Sequence, residues 1–172
     1  MKRLHLLRHA KSSWDDAALA DRDRPLAPRG RRAAARLSDW LETSDVRPEL
    51  VLCSTALRAR ETLEGVHDAL GGPEVAYLDG LYHAWEDALL TRIRAVPDTI
   101  DEVLLVGHNP GLGNLVLDLA ADSRERQRIE GKLPTGALVS LQLDAVRWAD
   151  VASGGGRIVS LVLPRDLAPP PA

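Results

Sequence analysis

Leu6-Leu7-Arg8-His9-Ala10-Lys11 is an apolar run that stops abruptly at a cation and an imidazole. The run reads as a buried strand, residues 3–8, and the break reads as the place where its side chains leave the core. A second break of the same kind follows about a hundred residues later, at Leu104-Leu105-Val106-Gly107-His108-Asn109. Two strands that each deliver a histidine at their C-terminal ends imply one shared site. In sheets of parallel strands, ligands bind at those ends.

Working outward, strand and helix patterns alternate. Residues 9–27 form a polar loop with Trp14, Asp15, Asp16, Asp21, Asp23 and Pro25. Pro28 opens a helix to about Thr43, with Ala33, Leu37, Trp40 and Leu41 on its inner face. Leu50–Cys53 is a short buried strand. A helix follows, capped by Ser54 or Thr55, with Ala59, Leu63, Val66 and Leu70 inward, and Gly71-Gly72-Pro73 ends it. Residues 75–78 form a weaker strand, residues 85–96 a helix stopped by Pro97, and residues 103–106 a strand. The next helix has Pro110 in its first position and runs to about Ala121. Residues 137–143 and 157–163 are late strands joined across Ser153-Gly154-Gly155-Gly156, as in a hairpin. The expected architecture is a three-layer α/β/α sandwich. Its central sheet is mostly parallel, with an antiparallel strand near the C-terminus. Residues 1–166 are expected to form one domain, with 167–172 a flexible tail.

The bulk numbers exclude several classes. A chain of 172 residues with net charge −3 and no basic block lacks the phosphate-contacting surface of a general nucleic-acid binder. The single cysteine, Cys53, allows neither an intrachain disulfide nor a cysteine-based zinc cluster. The apolar run after Met1 is interrupted by His5 and Arg8, so it is neither a secretory leader nor a membrane span. A cytoplasmic protein is expected, with no membrane or nucleic-acid partner, and a monomer is compatible with the pattern. His5 reads as a packed core residue and His67 as a solvated one. Tryptophans 14, 40, 85 and 148 form no stacking ladder.

Arg58 sits awkwardly in the first turn of its helix, where a capping box would hold Glu or Gln and where the helix end is already partly positive. Placed on one rim with Arg8, His9 and His108, it makes sense as part of a dianion site, most naturally for phosphate. No G-x-x-x-x-G-K-[ST] loop is present. The carboxylates of Asp15, Asp16, Asp21 and Asp23 read better as solvated or salt-bridged than as metal ligands. Cofactors and metal are therefore expected to be absent. A cysteine phosphatase needs five residues between thiolate and arginine. Five residues would put that arginine at Ala59, with Arg58 one early and Arg60 one late. Cys53 is thus read as a small buried residue. A histidine remains as nucleophile, and neighbouring arginines would keep its imidazole neutral.

Leu7-Arg8-His9-Ala10, Ser54-x-x-x-Arg58-Ala59-x-Glu61-Thr62 and Val106-Gly107-His108-Asn109-Pro110-Gly111 together resemble the histidine phosphatase superfamily, which includes the phosphoglycerate mutases. Among its branches the chain looks most like the small SixA-type phosphohistidine phosphatases, which often carry Arg-His-Ala in place of Arg-His-Gly. The likeness covers nearly the whole chain. It implies a phosphoglycerate mutase-like fold, His9 as the phosphorylated nucleophile, and Arg8, Arg58 and His108 as phosphoryl-oxygen ligands. Arg24, in Asp23-Arg24-Pro25-Leu26-Ala27-Pro28-Arg29-Gly30, matches a segment near the family's site. The implied role is phosphate-adjacent; a salt bridge within the aspartate-rich loop is the alternative. Many relatives carry a glutamate proton donor after the third strand. The matching region, Leu81-Tyr82-His83-Ala84-Trp85-Glu86, lacks one at that place, leaving His83 or Glu86 as candidates.

A missing acid fits phosphohistidine, whose leaving imidazole can hold its proton on the other nitrogen, better than alkyl phosphates. The resemblance therefore implies a metal-independent phosphatase acting through phospho-His9, on a phosphohistidine-bearing protein. The alternatives are a phosphatase of small phosphoesters, a phosphomutase, or a non-catalytic phospho-ligand module.

Overall fold

The computed structural model describes residues 1–129 and 132–169. Six strands form one sheet in the order β3-β2-β4-β1-β5-β6. They are β1 (Lys2–Arg8), β2 (Leu50–Ser54), β3 (Glu74–Leu78), β4 (Glu102–Gly107), β5 (Leu138–Leu143) and β6 (Gly156–Val162). The first four are mutually parallel; β5 runs antiparallel to β1, and β6 antiparallel to β5. The fold is the expected three-layer α/β/α sandwich. Its central strands are continuous apolar runs because both faces are covered. Leu4, Leu6, Val103 and Leu105 pack under α3 (Glu86–Arg94) and α4 (Gly111–Leu119). On the opposite face, Leu7, Val51, Leu104 and Val106 pack under α1 (Pro28–Thr43) and α2 (Leu57–Glu64).

The register of β1 against β4 decides where the site lies. Leu7 pairs with Val106 and Arg8 with Gly107. His9 and His108 therefore leave the sheet side by side. The backbone at this point is held from both flanks. Arg8 N donates to Ala137 O, His9 N donates to Gly107 O, and Gly136 N bridges the Arg8 and His9 carbonyls.

Several boundaries differ from the sequence reading. Neither Ser54 nor Thr55 caps α2; Ala56 is the N-cap, without a side-chain cap. Thr55 Oγ1 is instead drawn to Asp79, and Ser54 Oγ is engaged by His108. The helix expected to reach Leu70 ends at Glu64, where Gly65 N–H closes on both the Glu61 and Leu63 carbonyls. A separate 3₁₀ turn, Asp68–Leu70, buries Leu70. Pro110 is the N-cap of α4 rather than its first residue. A short helix α5 (Arg124–Ile129) lies where the pattern placed no element. Leu167, assigned to the tail, packs against the α1/α2 layer, and residues 170–172 fall outside the described residues. His5 is buried as expected, hydrogen-bonded to Ser140 and Glu102. His67, read as solvated, is about a third exposed, and its Nε2 donates to the Pro73 carbonyl. No helix among the described residues is long and apolar enough to cross a membrane.

The first turn of α1 presses on the chain just past His9. A Cβ at Gly30 would lie 2.1 Å from the Lys11 carbonyl oxygen, which also accepts Ala27 N–H at 2.8 Å. Gly→Ala in an unobstructed helix interior raises stability by ~1 kcal/mol. Here the methyl meets backbone that cannot swing aside, so Gly30→Ala is expected to lower stability by about 2 kcal/mol. Urea unfolding measures it, and a stabilised variant would contradict this packing.

Candidate active site

The site forms where β1, β2 and β4 end. His9 is 7% exposed and His108 3%, and their ring centroids are 5.1 Å apart. His9 Nδ1 lies 2.7 Å from the Ala10 carbonyl oxygen. A carbonyl only accepts, so Nδ1 must carry the proton and Nε2 keeps its lone pair. The carbonyl is held in turn, because Ala10 N donates to Thr62 Oγ1 at 2.9 Å and the Thr62 hydroxyl donates to Arg58 O at 2.7 Å. Thr62 thus ties the first quoted motif to the second.

His108 shows the complementary arrangement. Ser54 Oγ accepts from Ala56 N–H, and the acceptor that meets its own hydroxyl proton is His108 Nε2 at 2.7 Å. The proton of His108 is then on Nδ1, which is buried without a partner. Arg8 Nε and Arg58 Nε are also buried and unpartnered. Buried orphan donors are rare in folded proteins, and three around one spot mark a place for an acceptor-rich ligand.

Arg58 projects from the first turn of α2, as its sequence position implied, and is 3% exposed. Its guanidinium donates to the Asp21 backbone carbonyl at 2.7 Å and to Asp21 Oδ2 at 3.0 Å. Asp21 opens a 3₁₀ turn, Asp21–Asp23, in the loop after His9. The Tyr82 hydroxyl donates to the same Oδ2. Burial alone would raise the Asp21 carboxyl, but the Tyr82 hydrogen bond, then the Arg58 charge, and the Arg58 and Arg24 hydrogen bonds outweigh it. Together they hold the carboxyl well below the usual carboxylate range. Sequence reasoning missed Asp21 and Tyr82 as site residues. Asp21 stood among several loop carboxylates with nothing to single it out.

The other candidates separate clearly. Arg24 is 6% exposed and fully engaged: it binds Ser12 Oγ, Ser13 O and Asp21 Oδ1, and its guanidinium lies 3.6 Å from the Trp14 ring centroid. It holds Asp21, so the loop salt bridge is present. Arg8 Nη1 is drawn to Leu133 O at 2.7 Å. His83 stands at the site: its ring stacks on Tyr82 at 4.1 Å and meets His108 edge-on at 5.4 Å. Its Nε2 is 3.3 Å from an Arg58 nitrogen. His83 also has φ +51, a left-handed conformation unusual for a bulky residue. The next residue, Ala84, packs closely on α4, where its carbonyl leaves no room for a side chain at Gly111. Glu86 is turned away to Asn114 Nδ2 at 3.1 Å.

Cys53 is buried, and desolvation pushes its thiol up to about 12. That leaves it a protonated core residue rather than a nucleophile. Among the described residues, no three His, Cys, Asp or Glu side chains converge as a metal-binding group.

Residues 4–99 match the model of the histidine phosphatase superfamily (branch 1), a stretch that holds Arg8, His9, Arg24, Arg58 and His83. The chain belongs to this superfamily. As a histidine phosphatase it is similar to phosphohistidine phosphatase SixA of Escherichia coli, 31% identical over 152 residues. Those residues are 81% of this chain and 84% of that protein. An uncharacterized protein of Mycobacterium tuberculosis is 39% identical over 163 residues, covering 92% of this chain and 100% of that one. The solved structure of the protein histidine phosphatase SixA complexed with tungstate superposes with a TM-score of 0.78 at 27% identity. It covers 95% of this chain and 98% of that one.

Both site histidines titrate far below the ordinary imidazole range. Burial is the main cause for His9, lowered to about 3, with Arg58, Arg8 and Arg24 adding to it against the Ala10 hydrogen bond. Burial again leads for His108, lowered to about 2, helped by His9, Arg58 and His83 and opposed by Asp21. Both rings therefore stay neutral at pH 5, where unfolded histidines are protonated. Nitrogen-resolved NMR of the phosphate-free protein should show neutral His9, with its proton on Nδ1, at that pH. Because unfolding takes up these protons, stability falls as pH drops below the unfolded value near 6.5. The slope is about 1.4 kcal/mol per pH unit for each ring, flattening only near pH 3. A His9 that titrates near 6.5 would refute the geometry.

Proposed function

We propose that the chain hydrolyses phosphorylated substrates without a metal, through a phospho-His9 intermediate, and that its substrate is a phosphohistidine-bearing protein. One catalytic domain, residues 1–166, carries the reaction. The observation that carries the reading is the hydrogen bond from His9 Nδ1 to Ala10 O. It leaves Nε2 as a free nucleophile beside the unpartnered donors of Arg8, Arg58 and His108. The relationship to SixA, including a SixA structure that holds the oxyanion tungstate, supports it.

In the first step the Nε2 lone pair forms a bond to phosphorus while the bond to the leaving atom breaks, and the leaving atom keeps that electron pair. Arg8, Arg58 and His108 Nδ1–H donate to the phosphoryl oxygens as charge builds on them. In the second step water attacks phosphorus. The N–P bond breaks, its pair returns to His9 Nε2, and the water proton passes to phosphate or solvent. Asp21 holds Arg58 until the stronger dianion takes its place.

The leaving group separates substrates. An imidazole protonated on its second nitrogen departs neutral and needs no acid. An alkoxide needs a proton as it leaves. His83, 55% exposed at the rim, is a candidate donor beside both Arg58 and His108, which keeps small phosphoesters as a second reading.

His9→Ala should lower turnover by at least about a thousandfold and abolish the acid-labile phospho-enzyme trapped with labelled substrate. Wild-type activity should survive EDTA. His83→Ala should lower alkyl phosphate hydrolysis by about a hundredfold while leaving phosphohistidine hydrolysis within a few fold. Full turnover in His9→Ala would end the mechanism. Wild-type rates that favour alkyl phosphates over phosphohistidine protein would assign the second substrate class.

A further inference from the structure

A groove of about 340 Å³ beside the site is lined by Lys11, Arg29, Arg32, Arg36 and Arg165 and by no carboxylate. Its remaining walls include Ala33, Pro134 and Leu163. In a chain of net charge −3 this is a local reversal of sign. Among the described residues, Lys11, Arg29, Arg32 and Arg36 have no ion-pair partner. Glu61 faces Arg31, and Asp166 is shared by Arg165 and Arg128. Arg36 Nε is buried with no hydrogen-bond partner.

The spacing 29, 32, 36 puts three guanidiniums along one face of α1, spread over about 10 Å of helix. Like charges at i,i+3 and i,i+4 oppose helix formation, so the stripe costs stability in the free protein. The groove also adjoins the catalytic segment. Lys11 lies two residues past His9, and its carbonyl is pinned to the start of α1 by Ala27 N–H. On the other wall Thr135 precedes Gly136, whose N–H is shared by the Arg8 and His9 carbonyls. Anything seated in the groove is therefore adjacent to the backbone that presents His9.

We propose that this groove is a docking surface for an acidic face of the phosphohistidine-bearing protein, next to the phosphorylated histidine. Long exposed cations spaced along two helical turns match carboxylates spread over a protein surface, whereas a small polyanion would need them converging. The proposal rests on the protein-substrate reading above. It adds that charge complementarity at α1 selects the partner and speeds its encounter with the site.

The test compares wild type with Arg29→Glu/Arg32→Glu, two exposed positions outside the catalytic cluster. Each is assayed on a phosphohistidine protein whose histidine borders an acidic patch, and on phosphoramidate as the small substrate. The expected result is a fall of about tenfold or more in kcat/KM on the protein, carried by KM. The gap should shrink in 0.5 M salt, and phosphoramidate turnover should be unchanged. Unaltered kcat/KM on the phosphoprotein overturns the docking surface. So does an equal loss on both substrates in both this variant and Arg29→Gln/Arg32→Gln, which would make the arginines structural. A wild-type enzyme that turns over phosphoramidate but no phosphohistidine protein overturns the substrate reading itself, and the docking surface with it.

Discussion

The parallel pairing of β1 with β4 is the constraint on which the site depends. Each strand is an apolar run buried on both faces, so a slip in register would expose core leucines or bury charge. With Leu7 opposite Val106 and Arg8 opposite Gly107, the next residue of each strand is a histidine. The two imidazoles meet because the sheet ends there, with Ser54 of β2 hydrogen-bonded to His108 and Arg58 of α2 close to both rings. Their burial accounts for most of what makes them chemically distinctive. It drives both toward the neutral form, and each then takes its tautomer from one local oxygen, the Ala10 carbonyl or the Ser54 hydroxyl. Strand register therefore sets both the position and the protonation state of the pair.

A cluster of arginines next to neutral imidazoles is costly to leave without an anion. The fold supplies one from its own loop. Asp21 accepts from Arg58, Arg24 and Tyr82, and so balances charge there. Arg24, buried against Trp14, holds Asp21 and Ser12, and its charge adds to the lowering of His9. An internal carboxylate of this kind keeps the site assembled.

Much of this was legible in the residues, and the exceptions share a cause. The runs at β1 and β4 announce a buried parallel sheet, and Arg58 is conspicuous because helix electrostatics disfavour it where it stands. Features that depend on local pattern were readable in this way. Ser54 was misread as a cap because its hydroxyl is claimed by a histidine 54 residues away. Asp21 and Tyr82, separated by 61 residues, meet only through tertiary folding, so neither carries a local signal. His83 stands beside Arg58 and His108 while Glu86 pairs with Asn114, an arrangement that no spacing rule encodes.

The same geometry bears on why an acid is so weakly marked. A carboxyl beside Arg58 would have to stay protonated to donate, while the guanidinium favours its ionised form. Asp21 shows the effect in part: the Tyr82 hydrogen bond first, then the Arg58 charge, hold its carboxyl low against burial. A carboxylic acid donor would need shelter from Arg58, and the segment after β3 provides none: Glu86 is drawn off to Asn114, while His83 sits exposed against the guanidinium. Next to Arg58, the field that favours a neutral histidine also favours an ionised carboxyl. A substrate whose leaving group brings its own proton, as a protonated phosphoimidazole does, fits that field without further machinery.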